Sequence, residues 1–374
     1  PHIYSKTCPQ NPEDYCKVNM HVDDGAVMST SLSLVKELKK ALTARYGHHK
    51  DFPLTWNENM EEYCGIQFVR DNDKSVKVYM GKHIRKFLSR EGMDDIEGAL
   101  TPALKDFFDP PSDPTPVDPI RYQAIQGSLI FYGPIRHDIK LFVNTLSKQN
   151  QSPTQSDKDK QLHIMRYLKE YPDEGPTFSA NPSCYPDGPQ LHGAADLGFA
   201  TLFNGQSISG NLFTVGTNNA SFASNASAEK GIVLSPQEGE YLSLGRCAKD
   251  IVFWQQFLDG LGFKQKLPII IYEDNLPAIN LVKAPQITRN SRHINIAHHF
   301  IRWLYQDNII LPVHQGTNEM TADFLTKVHQ PRQHHYAKDV IFNSQPQLRN
   351  LLKVWRTRTY IYVLTPSSCQ SHTL

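Results

Sequence analysis

Apolar and polar positions alternate along YCKVNMHVDDGAVMSTS, residues 15–31, on both sides of an acidic turn, and this predicts a β-hairpin. Residues 32–46 switch to helical spacing, with Leu34, Val35, Leu38, Leu42 and Tyr46 on one face. Residues 62–70 and 75–81 predict a second strand pair around Asp71-Asn72-Asp73, and a basic helix follows from about Lys82 to Arg90. Residues 106–119, rich in proline and aspartate, predict a linker or extended wrap. Residues 120–147 and 157–171 predict helices, and the Pro/Gly-rich stretch 172–189 marks a boundary. From Gln190 the pattern changes: LHGAADLGFATLF, NLFTVG and KGIVLS predict three strands, followed by a long helix at about 237–258. PIIIYEDN predicts a buried strand. A short helix, a helix at about 291–306, the strand NIILPVHQ and a last helix at about 318–327 complete the pattern. Three strands followed by alternating helix and strand make an α/β (α+β) chain ending in a mixed five-stranded sheet flanked by helices. Residues 331–374 are polar and weakly patterned, a C-terminal tail.

Composition narrows this picture only a little. The 374 residues exceed one ordinary domain, and 39% hydrophobic with 21% charged residues is a globular balance. A net charge of +1 neither supports nor excludes a nucleic-acid partner, because a local basic groove can sit on a neutral chain. Six scattered cysteines without C-x-x-C spacing predict free thiols in a reducing compartment. The histidine pairs are adjacent rather than at the i,i+4 spacing that clamps zinc. No apolar run approaches the ~18–20 residues of a membrane span, and no signal peptide is visible. The start at Pro1, in what reads as the middle of a domain, predicts a fragment or processed product.

Four acids stand at positions suited to chemistry: Asp196 on the first strand of the second half, Glu240 early in the long helix, Asp274 at a strand end and Asp323 on the last helix. Convergence at one end of the sheet would make them repel unless divalent cations occupied the cluster, and oxygen ligands suit magnesium. Two such ions about 4 Å apart favour in-line phosphodiester hydrolysis. On spacing alone, four ordinary surface carboxylates among 38 acids is the favoured reading.

The motifs in order change that balance. LHGAADLGFA, VLSPQEGEYLSL, IYEDNLPAI, SRHINIAHHFIR and NEMTADFLTK resemble successive motifs of the ribonuclease H of copia-type retrotransposon Pol polyproteins. Upstream, MHVDDGAV, EYCGIQF, GKHIRKFLSREGM, RYQAIQGSLIFYGPIRHDI and HIMRYLKEY resemble that family's reverse transcriptase and connection, so the resemblance runs from about residue 15 to about 330. It implies a partial reverse-transcriptase palm and thumb (1–105), a linker with connection helices (106–189), a ribonuclease H-like domain (190–330) and a tail (331–374). It places the nuclease acids at Asp196, Glu240, Asp274 and Asp323, with Glu238 a competing choice for the helix acid, and the polymerase acids at Asp23 and Asp24.

Several positions depart from the family pattern. His21 replaces a tyrosine beside the polymerase pair, Gly198 replaces a second aspartate and Phe199 a tryptophan. SFASNASAEK replaces a lysine-rich stretch, which is expected to weaken phosphate contact. Arg289, Arg292, His293 and Arg302 remain as nucleic-acid contacts, and a solvated helix face explains them equally well. The implied function is hydrolysis of the RNA strand of RNA–DNA hybrids with two Mg2+ (or Mn2+) ions, beside a polymerase module not expected to polymerise alone. The alternative is a decayed remnant that binds DNA and RNA or serves as a structural subunit. The remaining Pol segments or a second copy of the chain are the implied protein partners, with no membrane. The family implies cytoplasmic particles with nuclear passage of the DNA.

Overall fold

The structure, a computed structural model, describes residues 2–8, 11, 14–22, 24–47, 56–57, 60–284 and 296–344. Strands β1 (His2–Thr7), β2 (Tyr15–His21) and β3 (Asp24–Ser29) form an antiparallel sheet in sequence order, backed by helix α1 (Leu32–Tyr46). The predicted hairpin is present, with His21 opposite Asp24 at its tip. A second sheet joins β4 (Glu62–Tyr63), β5 (Ile66–Arg70), β6 (Val76–Tyr79) and β7 (Thr177–Phe178). Helix α2 (Gly81–Arg90) leads out of β6, and the wrap at 106–119 then delivers the chain to α3 (Pro119–Tyr132), α4 (His137–Ser147) and α5 (Gln155–Glu170). The expected helix at 120–147 is therefore two helices. Pro134, which lacks an N–H and clashes with the preceding turn, separates them.

The second half is a mixed five-stranded sheet. Strands β8 (Leu191–Gly198), β9 (Ile208–Val215) and β10 (Ser221–Ala228) are an antiparallel meander, and β11 (Ile269–Glu273) and β12 (Ile310–His314) join parallel to β8. The order is β10-β9-β8-β11-β12. The third strand is SFASNASA and not KGIVLS, in which Ile232 and Leu234 are exposed. Its small polar residues carry little apolar signal, and its backbone is held from outside the sheet. His137 Nε2, Lys140 Nζ and Asn144 Nδ2 of α4 donate to the carbonyls of Ser221, Ser224 and Ala226, closing an edge that would otherwise present unpaired acceptors.

Helices α6 (Pro236–Gly260), α7 (Leu276–Lys283) and α8 (Ile296–Gln306) follow. Leu244, Cys247, Ala248 and Ile251 of α6 pack with Leu191, Ala195, Ile269 and Ile271 on one face of the sheet. Alternate strand residues, among them Ala194, Ile208 and Leu212, face a second core shared with α2–α5 and with α9 (Pro331–Phe342). Two elements differ from what the pattern predicts. The expected helix at 318–327 is a pair of short 3-10 turns, Thr317–Glu319 and Thr321–Leu325. The expected tail begins with α9, whose Ile341 and Phe342 are buried. The sheet at 190–330 is thus closed on one face by α4 and α9, elements outside that span. No helix among the described residues is long and apolar enough to cross a membrane.

A buried polar network fastens that second core. Arg136 donates to both carboxylate oxygens of Asp138, at 2.9 and 2.7 Å, with neither side chain exposed, and Arg136 Nη1 donates to the Tyr171 carbonyl at 2.7 Å. The Tyr167 hydroxyl donates to Asp138 at 2.7 Å. His334 of α9 lies 3.0 Å from the same hydroxyl. Burial pushes His334 down to about 3, so the ring is neutral, and the network assigns the proton to Nε2, which donates to the Tyr167 oxygen. A half-made buried ion pair costs far more than an absent one. Asp138→Ala is therefore expected to destabilise the chain by about 3–5 kcal/mol in urea unfolding, while the double change Arg136→Met with Asp138→Leu should cost much less. A loss under about 1 kcal/mol for Asp138→Ala would contradict a role for the network in stability.

Candidate functional site

Parallel pairing decides which acids meet. Tyr272 lies level with Ala194, so two residues further along β8 and β11 the chain reaches Asp196 and Asp274 side by side at the carboxyl end of the sheet. Helix α6 starts at the same end. Ser235 caps it by accepting the Glu238 N–H at 3.2 Å, and the Glu238 carboxylate accepts the Leu234 N–H at 3.0 Å. Glu238 is therefore spent on capping, and Glu240, two residues on and roughly 200° further round the helix, is buried on the side facing β8. Ser243 of α6 donates to the Asp196 carbonyl at 2.9 Å, fixing the helix to the strand.

Carboxylate oxygens of Asp196, Glu240 and Asp274 lie within 4.8 Å of one another. Asp196 and Glu240 are buried, 2% and 7% exposed, and one Glu240 oxygen, Oε2, is buried without a hydrogen-bond partner. Burial first, and then Asp196 and Asp274, push the Glu240 carboxyl up to about 9. Burial pushes Asp196 up to about 6, against the pull of Lys327 and the Thr326 hydroxyl. Threonines hold the cluster from the other side of the sheet, where Thr326 Oγ1 donates to Asp196 and Thr317 Oγ1 donates to Asp274 at 2.8 Å. The segment carrying Thr326 lies close on the strands because Gly198 and Gly210 have no Cβ. One built at Gly210 would stand 2.7 Å from Thr326 and 2.8 Å from Leu325, and one at Gly198 would stand 2.7 Å from the Thr326 carbonyl. No room is left there for the family's second aspartate.

The fourth expected acid stands apart from the cluster. Asp323 lies on the second 3-10 turn, ion-paired with Lys327 and 3.4 Å from His329 Nε2. A different acid lies closer in: Glu273, the last residue of β11, is fully buried. Its Oε1 accepts the Asn275 N–H at 3.0 Å and its Oε2 has no partner; burial and then Glu240 push its carboxyl well up. Sequence reasoning passed over Glu273, Thr326 and Lys327. Their signal was adjacency to Asp274 and Asp323 inside motifs already singled out. Hard oxygen donors, three of them within reach of one point and one lacking any partner, fit a divalent cation.

The remaining expected residues divide. Asp24 is exposed at the start of β3, and Asp23, Arg289, Arg292 and His293 lie outside the described residues. Arg302 is not a free surface cation. It is 7% exposed, and its Nε donates to the Leu281 carbonyl at 3.0 Å, so it ties α8 to α7.

No family model matches the chain. Among curated proteins it is similar to the retrovirus-related Pol polyprotein from transposon RE2 of Arabidopsis thaliana, 27% identical over 310 residues, which are 82% of this chain and 20% of that protein. It is similar also to the retrovirus-related Pol polyprotein from transposon TNT 1-94 of Nicotiana tabacum, 26% identical over 339 residues, which are 88% of this chain and 24% of that protein. The resemblance carried by the ordered motifs is thus borne out over most of the chain. The chain spans about a fifth to a quarter of the length of these relatives. Among solved structures, LC11-RNase H1 in complex with RNA/DNA hybrid is 14% identical, with a TM-score of 0.29 over 37% of this chain and 94% of that chain. RNase H1 from the archaeon Halobacterium salinarum NRC-1 is 16% identical, with a TM-score of 0.25 over 37% of this chain and 94% of that chain.

Crowded acids make the cation-free protein sensitive to alkali. A carboxyl whose pKa rises on folding keeps, in the folded state, a proton that the unfolded chain has released. Stability therefore falls as pH climbs from the ordinary carboxyl range near pH 4. The fall is complete at about 6 for Asp196 and about 9 for Glu240. In cation-free buffer, Glu240→Gln is expected to raise stability near pH 8 by on the order of 2–5 kcal/mol, since each tenfold gain in proton affinity on folding is worth about 1.4 kcal/mol, with the gap closing toward pH 4. Urea unfolding across that pH range measures it, and a gap independent of pH would refute the crowding.

Proposed function

We propose that the chain is the carboxy-terminal part of a transposon Pol polyprotein whose five-stranded half cuts the RNA strand of RNA–DNA hybrids, using Mg2+ or Mn2+ held by Asp196, Glu240 and Asp274. The observation that carries this reading is the convergence of those three carboxylates, one with a buried unpartnered oxygen, at the carboxyl end of two adjacent parallel strands. When bound, the divalent cation supplies Lewis-acid stabilisation to the phosphodiester and activates water. The chain's own part is preorganisation. Thr326 orients Asp196 and Thr317 orients Asp274, so these ligand oxygens need little rearrangement. A hybrid would be recognised by its A-like shape and 2′-hydroxyls rather than by sequence. The hairpin that presents Asp24 is, on this reading, a remainder of the polymerase palm, and the family's cytoplasmic particles are its setting.

A remnant that binds nucleic acid without cutting is the second reading. It is favoured by β10, where small polar residues stand in place of the family's lysines. A labelled RNA–DNA hybrid incubated with the full chain and magnesium separates the two. The full chain is needed because α4 and α9 close the sheet. Wild type is expected to cleave the RNA strand, and Asp274→Asn to lower the rate by roughly 10^3-fold, the scale of several kcal/mol of lost charge stabilisation. Equal cleavage by both proteins would remove the site. Salt-sensitive binding with no cleavage by either would establish the second reading.

A further inference from the structure

A cavity of about 380 Å3 lies on the face of the sheet away from α6, beneath the 3-10 turns and α9. That volume is within the range in which proteins hold small molecules. Strand alternation builds its floor. His192 and Ala194 share one face of β8, Thr214 and Leu212 stand opposite them on β9, and Tyr272 of β11 stands opposite Ala194. Ala194 and Leu212 are buried in the core, whereas His192, Thr214 and Tyr272 are only partly covered where they line the cavity. Met320 and Phe324 form one wall, and Tyr336, Ala337 and Val340 of α9 form the other. Thr317, Asn318, Gln333 and Tyr336 are exposed at the rim, so the cavity opens to solvent.

The lining decides what fits. The rings of His192 and Tyr272, with centroids 6.2 Å apart and planes 32° apart, make a nearly flat floor on which an aromatic ring stacks. His192, Thr214 and Gln333 set an imidazole, a hydroxyl and an amide among the apolar side chains of Leu212, Met320 and Val340. A few polar groups in an apolar setting fix a ligand's orientation, and a plain hydrocarbon would strip water from them without replacing its hydrogen bonds. Charged lining groups come only from the segment 317–327, where Asp323 and Lys327 pair with each other and Glu319 adds a negative charge. The floor and the α9 wall carry no charge, since burial holds His192 down to about 4 and its ring is neutral at neutral pH. A charged ligand would lose its hydration there without a counter-charge. We propose that this cavity binds an uncharged, flat bicyclic heteroaromatic ring, stacked over His192 and Tyr272 with its hydrogen-bonding edge toward Thr214. Thr317 lines the cavity and also donates to Asp274, so an occupant bears on the acid cluster from the side.

Benzimidazole is a probe of this class. It is titrated into the full chain and followed by nuclear magnetic resonance, without divalent cation or nucleic acid, so the outcome does not depend on whether the chain cleaves RNA. Wild type is expected to bind it saturably at a single site, with nuclear Overhauser contacts to the methyl groups of Met320 and Val340. Thr214→Phe and Ala337→Phe fill the cavity from the floor and from the α9 wall, and each is expected to weaken binding by about tenfold or more. Circular dichroism shows whether each variant is folded, and the methyl contacts in wild type locate the ligand without any variant. Benzimidazole-5-carboxylate has the same ring with a charge added and is expected to bind about tenfold more weakly. No saturable binding by wild type, contacts only to methyl groups outside the cavity, or undiminished affinity in a folded filling variant would overturn the site. Equal or tighter binding of the carboxylate would overturn the assignment of an uncharged ligand.

Discussion

Carboxylates held together in a poorly solvated place are the constraint around which the second half of this chain is organised. Asp196, Glu240 and Asp274 approach within 4.8 Å, and Glu273 lies buried beside Glu240. Ionised together they would be intolerable in a low-dielectric setting, so protons, a lysine or a cation must compensate. The fold nevertheless brings them together by strong local means: parallel pairing of β8 with β11, a capped helix start at Ser235, and a tight approach of residues 322–326 over two glycines. A structure that spends stability on such crowding is arranged for a partner of opposite charge.

That crowding is supported from a distance. The strands carrying Asp196 and Asp274 have one face packed on α6 and the other on a core shared with α4, α5 and α9. The fully buried Arg136–Asp138 pair, Tyr167 and His334 tie those three helices to one another. Phe324, next to Asp323, packs against His334 with ring centroids 5.1 Å apart. The R-x-D part of the upstream motif therefore has a physical role: it fastens α9, and α9 backs the turn that carries Asp323, Thr326 and Lys327. Helices α4, α5 and α9 and the five-stranded sheet share one core.

Much of the sheet and three of the acids were legible in the sequence because they rest on local signals. Apolar runs gave β8, β9, β11 and β12; the Ser-Pro-x-Glu start and its helical periodicity gave α6; the acids sat at element ends, where charge is tolerated. The third strand escaped because SFASNASA has no apolar alternation and owes its place to donors on α4, more than 80 residues away in sequence. Helix α9 escaped because its mean polarity hides the few buried contacts, among them Ile341 and Phe342, that dock it.

What the sequence determined by itself was the order of elements and the chemistry it could carry: oxygen donors of one charge, spaced along a strand, a helix start and a strand end. Which of those donors meet was decided only in three dimensions. Glu240 and not Glu238 points inward, because the cap consumes one of them. Asp323 is drawn to Lys327 and His329, while Glu273 lies buried beside Glu240. Arg302 became a tie between helices instead of a surface contact. Each of these outcomes turns on competition among neighbours for hydrogen bonds and counter-charges, and those neighbours are set by sheet register and helix packing, which spacing along a chain does not encode.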